Sequence, residues 1–453
     1  MASSTPSEPA LRREMGLRDV ALLAIACMTA SRWIPAAAHA GPGSVPLWIL
    51  GALFFVIPMA VTLSALVVKN PCAGGFYQWT RDDFGPWHGF LCFWVYWMGL
   101  AFWFPTASMF YMRMGLYALG PEFAKIGDNR AALLTIALAA IWIALISNMV
   151  GVRVGKWTEN IGGGANWILV GLLVATAFLV WRVRGGATPL HILPKWDWGT
   201  VNLWAAIAYG LSGLEMASLM GAEIHDPKRN LPRAGWIASI FLCLFYVAGT
   251  VAMLVILKPD KISEMNGVAE VGDSAGLLLH AAWLSPLLAL LVLASGVGQI
   301  GGIGTTISRL PFAAGVDRLL PNAFARVHPR WGTPHLSILA LGIVASFLLL
   351  VFQVGDSMRA AYDSLVSIMV ITGFLPYIYI FGSGWKAKRR ISAICGWGIT
   401  LMAIVCAVVP TEAVSNLWVF EGKLAAGTLA VIGTAWLVYR RSARGVSGKT
   451  IIG

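Results

Sequence analysis

Charged side chains are scarce in this sequence. Only 12% of its 453 residues are Asp, Glu, Lys or Arg, and 58% are hydrophobic. Soluble domains carry about 25% charged and about 45–50% apolar residues. The shortage of charge therefore excludes an ordinary soluble domain. Apolar runs of about 20 residues, each long enough to cross a bilayer, recur along the chain.

Cysteine is scarce as well. The six cysteines lie in apolar runs or in a loop that we predict to be cytoplasmic. Structural disulfides persist in oxidising compartments and are rare in the cytosol. We therefore expect no disulfide-linked partner subunit. The cysteine spacing fits no zinc site, and we expect no bound metal and no cofactor.

Motifs for catalysis and for secretion are missing too. No HExxH sequence, pair of acids or Ser–His arrangement lies within an apolar run, so we do not expect an enzyme. Residues 1–16, MASSTPSEPALRREMG, lack the apolar core and the cleavage site of a signal peptide. We expect these residues to form a cytoplasmic N-terminal segment.

The apolar runs predict an all-α integral membrane protein with about twelve transmembrane helices. The third and eighth runs are longer than a bilayer requires, so these helices are expected to tilt. No stretch remains for a soluble domain. The predicted spans are residues 17–40, 45–68, 87–119, 131–150, 160–181, 201–222, 233–257, 281–314, 335–353, 361–383, 391–409 and 424–440.

The net charge of +12 is distributed unevenly between the predicted loops. Most Lys and Arg residues lie on the side of the N-terminus, as the positive-inside rule requires of cytoplasmic loops. One basic loop, with Arg182, Arg184 and Lys195, lies on the other side. We predict a multi-pass protein of the cell membrane, surrounded by lipid, with both termini in the cytoplasm. This distribution argues against a nucleic-acid partner.

Small residues and proline interrupt the first and the sixth predicted spans. The first contains Thr29-Ala30-Ser31-Arg32 followed by Pro35, and the sixth contains the run Tyr209–Gly213. Paired interruptions in corresponding spans are typical of transporters built from inverted repeats, whose substrate site lies at the breaks. A break frees backbone N–H and C=O groups, which must find partners inside a membrane.

Three stretches resemble the amino acid–polyamine–organocation (APC) superfamily, in particular its amino acid permeases and glutamate–GABA antiporters. The stretch PCAGGFYQW at 71–79, with FGPWHGF at 84–90, is similar to the loop after helix 2. The stretch YGLSGLEMASLMGAEIHDPKRNLPRA at 209–234 is similar to helix 6 and its turn. The stretch SGVGQIGGIGTTISRLPFAAGVDRLLP at 295–321 is similar to helix 8 and its return loop.

The resemblance implies a leucine-transporter (LeuT) fold. Two inverted repeats of five helices would form a transport core at residues 17–383. Two additional helices would follow at 384–441, and a cytoplasmic tail at 442–453. The implied activity is secondary transport of an amino acid, or of a related amine or carboxylate, by alternating access. The transporter would be an exchanger or a symporter coupled to H⁺ or Na⁺. A nutrient sensor or a channel on the same scaffold is the alternative.

The resemblance also assigns residues to a site. Tyr96 and Tyr377 match aromatic residues that form an outer gate with Glu215. Thr305 and Thr306 offer hydroxyls to a sodium ion. A lysine that replaces sodium in some proton-coupled members corresponds to Asn166 here. The positions that match substrate-binding residues are Met28, Thr29, Ala30, Ser31, Arg32, Tyr209, Gly210, Ser212, Gly213 and Ile303.

Arg32 departs from the family pattern, because an apolar residue is common at its position. A charge at mid-depth in a bilayer costs about 2.5–3.5 kcal/mol on insertion scales. Three interpretations account for it. Arg32 binds a carboxylate of the substrate, or it pairs with Glu215 and holds a gate closed, or it lies near the outer mouth and is hydrated.

Overall fold

A computed structural model of the protein describes residues 15–70, 74–150, 152–189, 193, 198–219, 224–353, 357–411, 414 and 416–447. Within these ranges the chain is helical and contains no β-strand; Met15 and Ile224 form an isolated backbone bridge. The principal helices are α1 (Leu17–Met28), α2 (Trp33–His39), α3 (Ser44–Lys69), α4 (Phe76–Phe84), α5 (Pro86–Ala118), α6 (Pro121–Ile126), α7 (Arg130–Val150), α8 (Val152–Arg184), α9 (Trp198–Gly210), α10 (Met216–Leu219), α11 (Pro227–Ile256), α12 (Gly267–Leu279), α13 (Leu284–Ile307), α14 (Arg309–Val316), α15 (His335–Val351), α16 (Met358–Lys386), α17 (Arg390–Val408) and α18 (Leu417–Ser447).

The predicted all-α membrane fold is confirmed. Nine helices among the described residues are long and apolar enough to cross a membrane, and the bent pair α1–α2 makes a tenth. The ninth predicted span is the shorter apolar helix α15. The sixth corresponds to α9 and α10, which the interrupted segment separates. The count of twelve stays a prediction, and residues 1–14 and 448–453 of the predicted terminal segments lie outside the described ranges.

Both interrupted spans are broken where the sequence predicts. The first span ends as a helix at Met28, resumes at Trp33 and bends by 44° between α1 and α2. The sixth ends as a helix at Gly210 and resumes at Met216. Gly213 lies in this second break with a φ angle of +115°, a conformation that favours glycine.

The two breaks are packed inside a bundle in which sequence-distant helices touch. Helix α13 packs on α8 and α5, α16 packs on α5 and α17, and α1 packs on α11. Two faces of the molecule are used below. The N-terminal face carries Met15, Ile224 and α4. The opposite face carries the loop 257–266, whose Ile262 carbonyl contacts His39 at the end of α2.

Candidate functional site

The break in the first span frees backbone N–H and C=O groups. Side chains from neighbouring helices form hydrogen bonds with these groups. The hydroxyl of Tyr246 donates to the Met28 carbonyl and accepts from the Ala30 N–H, both at 3.0 Å. The side-chain amides of Asn166 and Gln299 both donate to the Thr29 carbonyl at 3.1 Å. These contacts satisfy the break within the protein, which is the requirement for irregular backbone at this depth.

Hydroxyl groups extend this network on α5 and α13. Ser31 and Ser295 lie 3.0 Å apart through their hydroxyl oxygens, and Tyr111 donates to the side-chain carbonyl of Gln299 at 2.6 Å. Asn166, which corresponds in the resemblance to a lysine of some proton-coupled members, donates its side-chain amide to the Thr29 carbonyl.

Arg32 is buried at the end of the first break, with 2% of its surface exposed. Its guanidinium donates to the Thr106 hydroxyl on α5 at 2.7 Å and contacts the Met369 sulfur on α16 at 3.5 Å. The guanidinium also stacks 4.1 Å from the ring centre of Trp33 and 5.2 Å from that of Trp103. Such cation–π contacts partly offset the loss of hydration.

None of the partners of Arg32 among the described residues is an acid, and its Nε has no hydrogen-bond partner there. The burial of the side chain makes the hydrated-mouth interpretation wrong. The pairing with Glu215 is not formed either, because that carboxylate contacts other groups. The remaining interpretation, a carboxylate supplied by the substrate, stays a prediction.

Aromatic rings form a wall beside Arg32. The ring of Tyr209, at the end of α9, meets Trp33 edge-on with ring centres 5.9 Å apart and lies 6.1 Å from Phe374. The Tyr209 ring packs directly on Gly373, where an added Cβ would come within 2.5 Å of it. Gly210 is similarly close to Trp33 and Trp48. Close packing of this kind needs the small residues that the sequence provides.

The break in the sixth span is held by its own residues. Ser212 donates through its hydroxyl to the Tyr209 carbonyl at 2.7 Å, and the Gly213 N–H donates to the Glu215 carboxylate at 3.1 Å. The other oxygen of Glu215 accepts from Tyr96 at 2.5 Å. Glu215 is buried, and a buried carboxylate needs such donors. Tyr377 lies near it without a well-formed hydrogen bond.

The structure brings Tyr96, Glu215 and Tyr377 together but places them on the N-terminal side of the breaks. The ring of Tyr96 contacts Phe76 of α4, with ring centres 4.7 Å apart. Arg32 contacts α5 ten residues further along that helix. The expected position of Tyr96, Glu215 and Tyr377 at an outer gate and their role in gating both stay predictions.

A second contact closes the N-terminal face. Asp317, just after α14, accepts hydrogen bonds from three side chains of α4: Tyr77 at 2.5 Å, Arg81 at 2.6 Å and Gln78 at 3.4 Å. Burial, together with the neighbouring Asp317 carboxylate, raises the pKa of Tyr77 well above its ordinary value. Tyr77 therefore remains a hydrogen-bond donor at physiological pH.

The other predicted site residues are less involved in polar contacts. Thr306 donates to the Gly302 carbonyl of its own helix at 2.9 Å, a common helix contact that gives no sign of an ion. Ile303 is buried four residues after Gln299 and so lies on the same side of α13. Sequence reasoning missed Tyr246, Gln299, Thr106 and Trp103 because their polar groups meet the breaks only through the fold.

Comparison with known proteins identifies the family of this chain. A family model described as amino acid permease matches residues 15–437. The chain belongs to the amino acid permease family. Membership of the APC superfamily, predicted from three short stretches, is thereby confirmed, and this permease is a multi-pass membrane protein with a transporter's general role.

Relatives of this permease come from bacteria and animals. An uncharacterized transporter of Legionella pneumophila is 24% identical over 95% of this chain and 97% of its own length. A probable agmatine/putrescine antiporter of Lactococcus lactis is 22% identical over 76% of this chain and 72% of its own. The Asc-type amino acid transporter 1 of Mus musculus is 26% identical over 77% of this chain and 66% of its own. All three relatives are named as transporters, but their names give different substrates or none.

Proposed function

We propose that this permease is a secondary active transporter for an amino acid or a related small carboxylate. It works by alternating access, as an exchanger or as an ion-coupled symporter. The substrate binds between the two helix breaks, against Met28–Arg32 on one side and Tyr209–Gly213 on the other. Free energy comes from gradients and from different affinities in the two access states.

The charge of Arg32, which forms no ion pair among the described residues, carries the proposal. A guanidinium buried without an acid keeps a large desolvation cost, and an anion that binds beside it removes much of that cost. Its planar fork of donors suits a carboxylate. Since its direct contacts, Thr106 and Met369, are neutral, an incoming carboxylate would be its first ion-pair partner.

The same residue disfavours a purely cationic substrate. The positive charge of Arg32 already lies between Trp33 and Trp103, which is the kind of aromatic setting that attracts a cation. A diamine at the breaks would face a like charge in a medium of low dielectric constant. An amine function is therefore acceptable only in a molecule that also bears a carboxylate.

The first experiment is a melting-shift screen on the purified protein. The ligands are L-glutamate, L-aspartate, L-alanine, agmatine and putrescine. A ligand at 100 times its dissociation constant stabilises the folded state by about 2.7 kcal/mol. We expect at least one of the three amino acids to raise the melting temperature and the two amines to have no effect.

Variants locate the binding in that experiment. Arg32→Ala should abolish the shift, whereas Arg182→Ala, which removes an exposed arginine at the end of α8, should leave it unchanged. A shift from agmatine or putrescine alone would contradict the carboxylate proposal. A full shift in Arg32→Ala would remove Arg32 from the binding site.

The proposal includes the arrangement of the chain. Residues 17–383 form the transport core and 384–441 add two helices to it. Both termini face the cytoplasm of a cell whose plasma or inner membrane holds the protein. The N-terminal face, with α4 and Asp317, is then the cytoplasmic face. A protease or label that reaches the C-terminal tail only in inverted vesicles tests this orientation.

A further inference from the structure

A small polar cavity adjoins Arg32 on the side away from Glu215. Its volume is about 10 Å³, close to the space that one water molecule requires. Residues from α2, α9, α16 and the loop 257–266 surround it. The lining includes Arg32, Trp33, Asn202, Glu264, Tyr362 and Asp363. The cavity thus lies between Arg32, at the proposed substrate site, and Glu264 of the loop 257–266.

Two carboxylates line this cavity, and both are held in place. Asp363 on α16 is 4% exposed and accepts a hydrogen bond from the Thr411 hydroxyl at 2.6 Å. Glu264 in the loop 257–266 forms an ion pair with Arg359 at 3.4 Å. Both carboxylates line the same small cavity. Burial raises the pKa of Glu264, and the charge of Arg359 opposes that effect.

The surroundings of Asp363 contain few other charges. Glu264 faces it from the loop 257–266, His39 from α2, and Arg359 and Tyr362 from its own helix. Arg32 lines the other end of the same cavity, with an Nε that has no partner among the described residues.

Near these two carboxylates lie two arginines, Arg359, which pairs with Glu264, and Arg32, which lines the cavity. A substrate carboxylate on Arg32 would bring a third negative charge against these two positive charges. In a site of low dielectric constant, binding is then more favourable when one of the two acids is neutral. The electrostatics therefore link the binding of an anionic substrate to the uptake of a proton.

We propose that Glu264 and Asp363 form a proton-binding site, and that a proton on this pair travels with each substrate carboxylate bound at Arg32. The inference rests on the proposed function and assigns its coupling ion. Sodium is a less suitable coupling ion, because the Thr29 carbonyl already accepts hydrogen bonds from Asn166 and Gln299. A carbonyl that accepts two N–H bonds is not a free ligand for a cation.

Proteoliposomes with radiolabelled L-glutamate test the proposal. Exchange is measured at equal pH on both sides between pH 5.5 and 8. Accumulation is measured under a pH gradient, with the membrane potential clamped by potassium and valinomycin. For the wild type we expect the rate of L-glutamate exchange to rise as the pH falls. A gradient of one pH unit should drive about tenfold accumulation per coupled proton.

Asp363→Asn places a neutral amide where the protonated acid would be, and this amide cannot bind or release a proton. We expect this variant to lose accumulation under the pH gradient and to exchange glutamate with no dependence on pH. Glu264→Gln should also lose accumulation, because it removes one of the two acids between which the proton is held. Asp260→Asn, which removes an exposed acid of the same loop, is the matched control and should behave as the wild type does.

The outcomes separate the two proposals. Wild-type exchange without accumulation, or undiminished accumulation in both Asp363→Asn and Glu264→Gln, would overturn the proton site and leave the transport proposal standing. Absence of exchange and uptake with each of radiolabelled L-glutamate, L-aspartate and L-alanine in the wild type would contradict the proposed substrate class and the inference with it. If Asp363→Asn shows no cooperative melting, Glu264→Gln decides the question, since its side chain lies in a loop.

Discussion

The sequence predicts that Arg32 needs a partner, but it does not predict which residues contact it. Its position inside an apolar run predicted a functional charge, because a bilayer tolerates such a residue only with a partner. Its actual partners, Thr106 and Met369, lie 74 and 337 residues away. No local pattern marks a threonine on α5 or a methionine on α16 as a contact of an arginine on another helix.

The glycines of the breaks can be tested one by one. Gly213 has a φ angle of +115°, and a Cβ there would lie 3.3 Å from the Met28 side chain. Gly213→Ala should cost about 1–3 kcal/mol through backbone strain and lower the melting temperature. Gly171→Ala is the matched control, because no atom lies within 4 Å of its added Cβ. Equal melting temperatures for the two variants would show that the break does not need glycine.

At the scale of helices, the breaks were predictable and their chemistry was not. The stretches 29–32 and 210–213 contain small residues that are typical of an interrupted transmembrane helix. The freed backbone groups needed partners, and Tyr246, Asn166 and Gln299 supply several of them. These three residues lie far from the breaks in the sequence. The contact between Tyr96 and Glu215, 119 residues apart, likewise depends on how the long helix α5 crosses the bundle.

The contact between α4 and Asp317 offers a prediction at the same scale. Asp317→Asn weakens the hydrogen bonds from Tyr77 and Arg81 and leaves Arg81 without a strong partner. The loss of a charge-assisted hydrogen bond costs about 1–2 kcal/mol. We expect residues 76–84 to exchange amide hydrogen for deuterium faster, by about tenfold. Asp82→Asn is the control, since Asp82 is exposed and meets Arg81 only at 3.7 Å; equal exchange in both variants would refute a closing role.

At the scale of the whole molecule, composition alone was decisive. Scarce charge and recurring apolar runs predicted a membrane protein of many helices, and the described helices and the family match confirm it. The outer helices keep apolar side chains exposed, as on α18, where 17% of the apolar window is buried; such surfaces suit lipid. The substrate was not predictable, because a few side chains from distant helices select it.

The central claim is that a substrate carboxylate binds Arg32 between the two breaks. A structure determined with the amino acid that gives the largest melting shift tests this most directly. The account predicts a carboxylate within hydrogen-bond distance of the Arg32 guanidinium, about 2.7–2.9 Å, beside Trp33 and Tyr209. A ligand whose carboxylate lies away from Arg32, or a ligand bound outside the breaks, would contradict it.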